Sequence, residues 1–175
     1  PAAATLDHFA RLGLEKIPDN SVHAVTIPGA VDAWCMLSER FGKIGLEAIL
    51  KPAIDATTEG FVITPRVALD WARYADRLRP YPASVRQYLP GDQPPGIGDR
   101  LDNPALGRTL TRIAKEGRSA FYEGEVAQDM VSMLQSLGGV HTLDDFAAYK
   151  AFETRPISAA YRGFELVECP PNGQG

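Results

Sequence analysis

The chain has 175 residues, of which 45% are hydrophobic and 23% charged, a composition typical of one globular domain with a hydrophobic core. Its net charge of −4 comes from 22 acidic and 18 basic residues scattered along the chain, so no basic face is available to neutralise a nucleic-acid backbone. No apolar run approaches the roughly 20 residues that cross a bilayer, so we expect neither a nucleic-acid partner nor a membrane segment in this chain.

The N-terminal end carries no targeting signal. Pro1-Ala2-Ala3-Ala4-Thr5 lacks an initiator methionine and the basic region followed by a long apolar stretch that marks a signal peptide. We therefore expect that the true N-terminus lies upstream of Pro1, and the cellular compartment stays open.

Two helices are predicted in the first third of the chain. After Pro28, apolar residues recur at three-to-four spacing as far as Gly42, which predicts a helix that packs this face on the core. The residues of the face are Ala30, Trp34, Leu37 and Phe41. A second helix is predicted over residues 46–59, and Pro52 inside it is expected to kink the helix or to divide it in two.

Two dipeptides mark further helix starts. Thr64-Pro65 and Asn103-Pro104 each combine an N-cap side chain with a proline in the first turn. The first of these helices is predicted to run through Val67, Ala68, Trp71 and Tyr74. The second is predicted to bury a stripe formed by Leu106, Leu110, Ile113 and Ala114 before it ends at Gly117.

Residues 79–100 contain five prolines and three glycines. This density disfavours both helices and strands, so we predict a long surface loop. A loop of more than about 12 to 15 residues is unusual inside a compact domain and either has a function or lies over a neighbouring element. Both alternatives stay open.

The remaining helices are predicted after Gly124. Residues 125–137 form an amphipathic pattern that Gly138-Gly139 ends. Thr142, with Asp145 three residues later, predicts a capping box for a short helix that ends near Lys150.

The last stretch changes to the two-residue period of strands. Residues 156–161 and 164–169 predict a β-hairpin around Arg162-Gly163, with Phe164 and Leu166 on one face. Because two strands alone are marginally stable in water, we expect the hairpin to join a sheet whose other strands lie outside this chain.

Neither cysteine lies in a metal-binding or redox motif. Cys35 falls in an apolar helical pattern and Cys169 at the end of a predicted strand, without paired spacing. We favour two buried thiols over a single disulfide, which would require an exported protein.

The residues themselves predict no catalytic constellation. His8, His23 and His141 fall in different segments without an acidic or cysteine partner at ligand spacing, so no metal or other cofactor is expected, and His141 is interpreted as a turn residue. Asp144-Asp145 is assigned to helix-start electrostatics. A serine-esterase elbow and a phosphate-binding glycine-rich loop are both lacking.

Three arginines leave an alternative open. Arg73, Arg77 and Arg79 could recognise an anionic ligand, but a solvated helix face is the favoured interpretation.

Three short steps are distinctive: Pro28-Gly29-Ala30-Val31, Phe121-Tyr122-Glu123-Gly124 and Tyr161-Arg162-Gly163. Together with other short segments in the same order, they resemble the gamma-glutamyltransferase (gamma-glutamyltranspeptidase) family of N-terminal-nucleophile hydrolases. The matching segments are residues 1–5, 21–31, 40–42, 50–54, 106–116, 120–124, 138–139, 143–149, 156–158 and 161–164. Each is weak alone, but their order over nearly the whole chain identifies a fragment of the family's large subunit.

The resemblance implies a precursor that cuts itself to expose an N-terminal threonine, which attacks a gamma-glutamyl or related acyl amide. The acyl group then passes to water or an amino acid. The resemblance places that threonine downstream of Gly175 and the arginine that binds the substrate carboxylate just upstream of Pro1. Neither Thr5 nor Pro1 replaces the nucleophile, so we expect no catalytic or substrate-binding residue in this chain.

The end of the chain departs from the family pattern. Residues 170–175 read Pro-Pro-Asn-Gly-Gln-Gly where typical members have paired serines after the prolines, which indicates a divergent branch that includes acylases. This departure puts gamma-glutamyl specificity in doubt. A non-catalytic helical binding module that keeps the family scaffold is the alternative function.

The predicted fold class is α+β, a predominantly helical fragment with a C-terminal β-hairpin. Its helical body spans residues 1–150, its hairpin 153–169 and its long loop 79–100. The resemblance implies a parent fold with four αββα layers, and it implies the rest of the large subunit, the small subunit and a small gamma-glutamyl or acyl-amide substrate as partners. A periplasmic or extracellular compartment is common in the family, and the cytoplasm is an alternative.

Overall fold

The computed structural model describes residues 1–170, so residues 171–175, where most of the departure from the family pattern falls, lie outside the described part. The helices in this part are α1 (Leu6–Arg11), α2 (Ala30–Phe41), α3 (Leu46–Glu59), α4 (Pro65–Leu78), α5 (Pro82–Tyr88), α6 (Pro104–Glu116), α7 (Ser119–Tyr122), α8 (Glu125–Ser136) and α9 (Leu143–Ala148). The strands are β1 (Phe61–Val62), β2 (Arg100–Leu101), β3 (Ile157–Tyr161) and β4 (Phe164–Glu168). The prediction of a mostly helical chain with a C-terminal hairpin is confirmed. None of the helices within residues 1–170 has the length and apolarity needed to span a membrane.

The core lies where α3 and α6 pack against each other and α2, α7, α8 and α9 close over them. Gly107 of α6 faces Thr57 of α3 so closely that a Cβ at position 107 would collide with the threonine hydroxyl. The glycine therefore sets the separation of the two helices. The buried side chains of this core are Val31, Cys35, Leu50, Leu110, Ile113, Ala120, Tyr122, Ala127, Val131 and Phe146.

Helix α2 buries a different face from the predicted one. Trp34, Leu37 and Phe41 are 42%, 51% and 65% exposed, whereas Val31 and Cys35 are each 5% exposed. Both faces of this helix carry apolar side chains, so the three-to-four spacing identified a helix without showing which side meets the core. The prediction that Ala30, Trp34, Leu37 and Phe41 form the core face is wrong within the described residues.

Pro52 does not divide α3, which runs unbroken from Leu46 to Glu59. The residue has no N–H to donate to the carbonyl of Ala48, and both residues are exposed, so water can reach that carbonyl. In α6, the predicted stripe is buried at Leu110 and Ile113, but Leu106 is exposed.

The prediction of an irregular loop over residues 79–100 is wrong for its first half. Pro82 is the first residue of α5, a position where a missing N–H costs nothing. The indole Nε1 of Trp71 in α4 donates to the carbonyl of Tyr88 at 2.8 Å and ties α5 to α4. Further along the chain, the backbone N–H of Gly98 donates to the carbonyl of Ile63, and β2 pairs with β1. The segment therefore packs against α4 and β1.

Three predicted helix starts are confirmed, with one difference in how they are capped. The Asn103 side chain accepts the N–H of Leu106 at 3.1 Å, and Thr142 and Asp145 form a complete capping box for α9. Thr64 has an extended N-cap backbone, but its side chain makes no cap hydrogen bond.

The hairpin has the predicted register, with Tyr161 opposite Phe164. Arg162 and Gly163 both have positive φ, 50° and 83°, as a two-residue type I′ turn requires. Every residue of β3 and β4 is exposed. Cys169, which follows β4, is also exposed, so the prediction of two buried thiols is correct only for Cys35, and both thiols are free.

Candidate functional site

Four side chains, Asp32, Arg118, Tyr122 and Tyr149, form a largely buried site that we call the polar cluster. Asp32 is a charged residue on the buried face of α2, where it lies between the apolar residues Val31 and Cys35. Its side chain is 9% exposed and that of Arg118, which precedes α7, is 18% exposed. A buried carboxylate requires such a partner.

Arg118 links three parts of the chain. Its Nε lies 2.7 Å from Asp32 Oδ1, but the N–H does not point along a hydrogen-bond direction, so this contact is an ion pair. One Nη donates to the carbonyls of Ala147 and Tyr149 at 2.8 and 2.6 Å, and the other donates to Glu123 at 3.1 Å. The guanidinium therefore satisfies carbonyls at the C-terminal end of α9, as a cation there should.

Asp32 holds the chain that follows α9. Its second carboxylate oxygen accepts the backbone N–H of Ala151 at 2.5 Å. The Asp32 backbone N–H donates to the hydroxyl oxygen of Tyr122 at 3.2 Å, and that hydroxyl donates to the carbonyl of Pro28 at 2.6 Å. The entry to α2 and the exit from α9 are therefore fixed by the same residues.

The two tyrosines complete the cluster by stacking. The Tyr122 and Tyr149 rings lie 5.8 Å apart and are nearly parallel, and the Arg118 guanidinium lies 4.8 Å from the centre of the Tyr122 ring. Burial raises the pKa of the Tyr122 hydroxyl above its usual range. The hydroxyl thus stays protonated as a hydrogen-bond donor.

The polar cluster is suited to holding structure rather than to reacting. Each of its charged groups is already bonded within the chain, which leaves no free base beside a nucleophile. The nearby thiol of Cys35 has a raised pKa because of burial and the adjacent Glu39 and Asp32 carboxylates, although Arg118 opposes this effect. A raised thiol pKa disfavours the nucleophilic thiolate.

A second polar site anchors the N-terminal segment, residues 1–25. Asp145 Oδ1 accepts the backbone N–H of Ala2 at 2.7 Å, while its other oxygen is bonded to Thr142. Partial burial alone would raise the pKa of Asp145, but the hydrogen bonds from the Ala2 backbone and from Thr142 lower it. The carboxylate is the form that these donors stabilise.

His141 forms the other anchor of this segment. It is 2% exposed, and its Nε2 lies 2.9 Å from the carbonyl of Val25. His141 lies in the connection between α8 and α9, and there it forms a buried bridge to the N-terminal segment.

The other histidines lie together near the N-terminus. The rings of His8 and His23 are 6.1 Å apart and both pack edge-on against Phe9. Residues 1–170 contain no group of three or more histidine, cysteine or acidic side chains that could hold a metal ion. Thr5 caps α1 by accepting the N–H of His8 at 3.2 Å, which is a structural role.

The three arginines of the anionic-ligand alternative separate into two environments. Arg79 forms ion pairs with Asp76 and Asp92. Arg73 and Arg77 instead lie over the Tyr74 ring, with guanidinium carbons 5.6 and 5.2 Å from its centre.

Sequence reasoning missed the whole polar cluster. The one available signal was Asp32 itself, because an acidic residue directly beside two apolar positions of one helical face requires a buried partner. The partner could not be named from the sequence, since helices α3 to α6 lie between the two residues.

The fold matches solved structures of N-terminal-nucleophile hydrolases of the gamma-glutamyltranspeptidase type, and this is the class that it defines. The structure of a cephalosporin acylase from Bacillus halodurans superposes with a TM-score of 0.91 at 32% identity, over 98% of this chain and 33% of the acylase. A gamma-glutamyltranspeptidase from Helicobacter pylori superposes with a TM-score of 0.79 at 27% identity, over 85% of this chain and 43% of that chain.

The family model described as gamma-glutamyltranspeptidase matches residues 1–175, and the chain belongs to this family as a fragment of its large subunit. A glutathione hydrolase-like YwrD proenzyme from Bacillus subtilis is 36% identical over 93% of this chain and 31% of its own length. A glutathione hydrolase proenzyme from Escherichia coli is 32% identical over all of this chain and 31% of its own length. The chain thus spans about a third of these curated relatives.

Proposed function

We propose that this chain is the structural body of an autoprocessing threonine amidohydrolase or acyltransferase. The complete enzyme would cleave gamma-glutamyl or related acyl amides and transfer the acyl group to water or an amino acid. The names of the relatives, which include glutathione hydrolases and a cephalosporin acylase, support the amide-cleaving class.

The exposed hairpin carries the proposal that the chain is a body to which other parts bind. Phe164 and Leu166 are 76% and 62% exposed, and Tyr161 is 58% exposed. A two-stranded hairpin with apolar side chains facing water is unstable by itself, so it needs a sheet to join. We assign that sheet to the αββα layers of the complete enzyme.

The exposed face of α2 supports the same conclusion. Trp34, Leu37 and Phe41 form an apolar stripe on the side of the helix that faces away from the core. Contiguous apolar surface of this kind marks an interaction site. We assign it to contact with the rest of the large subunit or with the small subunit.

The chemistry is assigned to groups outside the chain. The hydroxyl of the N-terminal threonine attacks the amide carbonyl, and the threonine's own α-amine accepts the hydroxyl proton and passes it to the leaving amine. Main-chain donors stabilise the tetrahedral oxyanion. We place the threonine after Gly175 and the arginine that binds the substrate carboxylate before Pro1. Asp145 and His141, which anchor residues 1–25, would then hold the segment that follows this arginine.

The test compares the full-length precursor with the 175-residue chain. Both are assayed on gamma-glutamyl-p-nitroanilide and on an acyl amide such as glutaryl-p-nitroanilide, with anilide release as the readout. We expect activity only from the precursor after it has cut itself. Activity of the 175-residue chain alone would refute the scaffold role, and a precursor that is folded, uncut and inactive on both amides would favour the non-catalytic binding module.

A further inference from the structure

An aromatic cleft lies between α4 and α5. It has a volume of about 570 Å³ and is lined mainly by Val67, Trp71, Tyr74, Leu78 and Tyr88, with Arg77 at one end. These α4 positions follow one face of the helix over three turns, a length of about 16 Å at 1.5 Å per residue. The cleft is not used by the polar cluster or by the N-terminal anchors.

The cleft keeps a fixed shape because its walls are bonded to each other. The Trp71 indole donates to the carbonyl of Tyr88 at 2.8 Å, and the two rings lie 6.0 Å apart. At the other end, the backbone carbonyl of Arg77 accepts from the side chain of Asn20, whose own carbonyl accepts from the Tyr81 hydroxyl. The aromatic surface is therefore held open to solvent rather than collapsed.

The charge around the cleft is the opposite of the charge of the whole chain. Residues 65–88 contain five arginines and two aspartates, whereas the complete chain has a net charge of −4. Within residues 1–170, Arg73 and Arg77 form no ion pair, although both lie against the Tyr74 ring. Asp70 also borders the cleft, but Arg66 neutralises it through an Nε–Oδ2 contact of 2.7 Å.

We infer that this cleft binds a small organic anion with an apolar body, such as an aromatic or acyl carboxylate or sulfonate. The rings of Trp71, Tyr74 and Tyr88 contact the apolar body, and the guanidinium of Arg77, supported by Arg73, binds the acid group. The volume lies within the range of about 300 to 1,000 Å³ typical of small-molecule sites. Arg77 is a lining cation without a carboxylate partner, and beside an apolar floor it selects an anion over a neutral molecule of the same shape. Arg73 does not line the cleft, but it lies against the Tyr74 ring and adds positive charge nearby.

The test uses a matched pair of fluorescent probes and the full-length precursor. The anionic probe is 1-anilinonaphthalene-8-sulfonate, and the neutral probe is N-phenyl-1-naphthylamine, which has the same rings without the sulfonate. Binding is followed by probe emission excited through tryptophan, and the Trp71→Phe variant identifies the part of this signal that comes from the cleft. The measurement does not depend on amidase activity.

We expect the anionic probe to lose about two- to fivefold in affinity in Arg77→Gln and about tenfold in Arg73→Gln/Arg77→Gln, since each partly exposed charge contributes up to about 1 kcal/mol. The neutral probe should be unaffected by either variant. Arg86→Gln is the control, because Arg86 is an exposed arginine of α5 that does not line the cleft. Thermal unfolding confirms that each variant is folded.

Three results would overturn the inference. One is a tryptophan-excited signal that Trp71→Phe leaves unchanged, because the probe would then bind elsewhere. Another is an equal loss in Arg77→Gln and Arg86→Gln, which would indicate general charge attraction. The third is equal weakening of both probes by Arg77→Gln, which would show that the arginine shapes the cleft instead of binding the acid group.

Discussion

Arg118 Nε lies 2.7 Å from Asp32 Oδ1, and this contact joins the start of α7 to the first turns of α2. The same two side chains hold the carbonyls of Ala147 and Tyr149 and the N–H of Ala151. The path of the chain out of α9 toward the hairpin therefore depends on one buried ion pair.

Removal of either partner should destabilise the fold severely. Asp32→Ala leaves the Arg118 guanidinium without its counter-ion in a largely buried position. Arg118→Met leaves the Asp32 carboxylate buried without its cation. Breaking a buried pair by removing one side typically costs roughly 3 to 5 kcal/mol. Urea unfolding followed by circular dichroism measures the loss in the free energy of unfolding.

The control for this prediction is an exposed ion pair of the same chain. Arg40 and Glu153 are in contact but are 49% and 59% exposed, and such pairs contribute about 0 to 1 kcal/mol. Glu153→Gln should therefore change the free energy of unfolding by less than about 1 kcal/mol. Equal losses in Asp32→Ala and Glu153→Gln would contradict the role assigned to the polar cluster.

Asp145→Asn should weaken the N-terminal anchor in a pH-dependent way. The folded pKa of Asp145 lies below its ordinary value of 3.8, so its contribution is present above about pH 4 and is lost as the pH falls through the folded pKa. We expect the free energy of unfolding of the wild-type chain to exceed that of the variant by about 1 to 2 kcal/mol at pH 6, as for other helix caps. This difference should shrink below pH 4.

Unfolding curves between pH 3 and pH 7 measure this difference. Asp144→Asn is the matched control, because Asp144 is exposed in the same first turn and holds no part of the N-terminal segment. A difference between wild type and Asp145→Asn that grows as the pH falls would refute the assignment.

Gly29→Ala should be destabilising because a Cβ at this position would collide with the Tyr149 hydroxyl, which the stack with Tyr122 holds in place. Overpacking of this kind typically costs about 1 to 3 kcal/mol. Tyr149→Phe removes the nearest atom and should restore part of the loss in the double variant. Gly45→Ala is the control, since Gly45 also caps a helix but has open space around it. If the effects of Gly29→Ala and Tyr149→Phe on the free energy of unfolding were additive in the double variant, the predicted contact would be excluded.

The two thiols should react with Ellman's reagent at very different rates. Cys169 is exposed, whereas Cys35 is buried and has a raised pKa. In the 175-residue chain we expect one fast thiol, which Cys169→Ser removes, and a second that reacts only when the chain opens. In the full-length precursor Cys169 should become protected if the hairpin joins a sheet; equal reactivity in both proteins would contradict that assignment.

Local signals in the sequence were sufficient for most of the secondary structure. The Asn103 cap, the Thr142–Asp145 box and the Arg162-Gly163 turn act within a few residues, so their chemistry is visible in the sequence. The signal for α5 is also local: Pro82 occupies the first turn of this helix, where proline is favoured, so the prediction of a loop is wrong there.

The predictions failed where the answer depended on packing. Periodicity marked Trp34, Leu37 and Phe41 as apolar, but only the folded chain shows that α2 turns Val31 and Cys35 toward the core. The pairing of Asp32 with Arg118 and the hydrogen bond from Trp71 of α4 to Tyr88 of α5 are likewise tertiary relationships, and no spacing rule encodes them.

The most direct test of the proposed function is to determine whether the purified full-length protein cuts itself and, if it does, which residue forms the new N-terminus. Mass spectrometry of the two products should place the cut immediately before a threonine that lies after Gly175, and replacing this threonine with alanine should abolish both cutting and amidase activity. A precursor that is active without being cut, or a cut within residues 1–175 that produces the active form, would contradict the proposal that this chain is the body of a threonine-nucleophile enzyme.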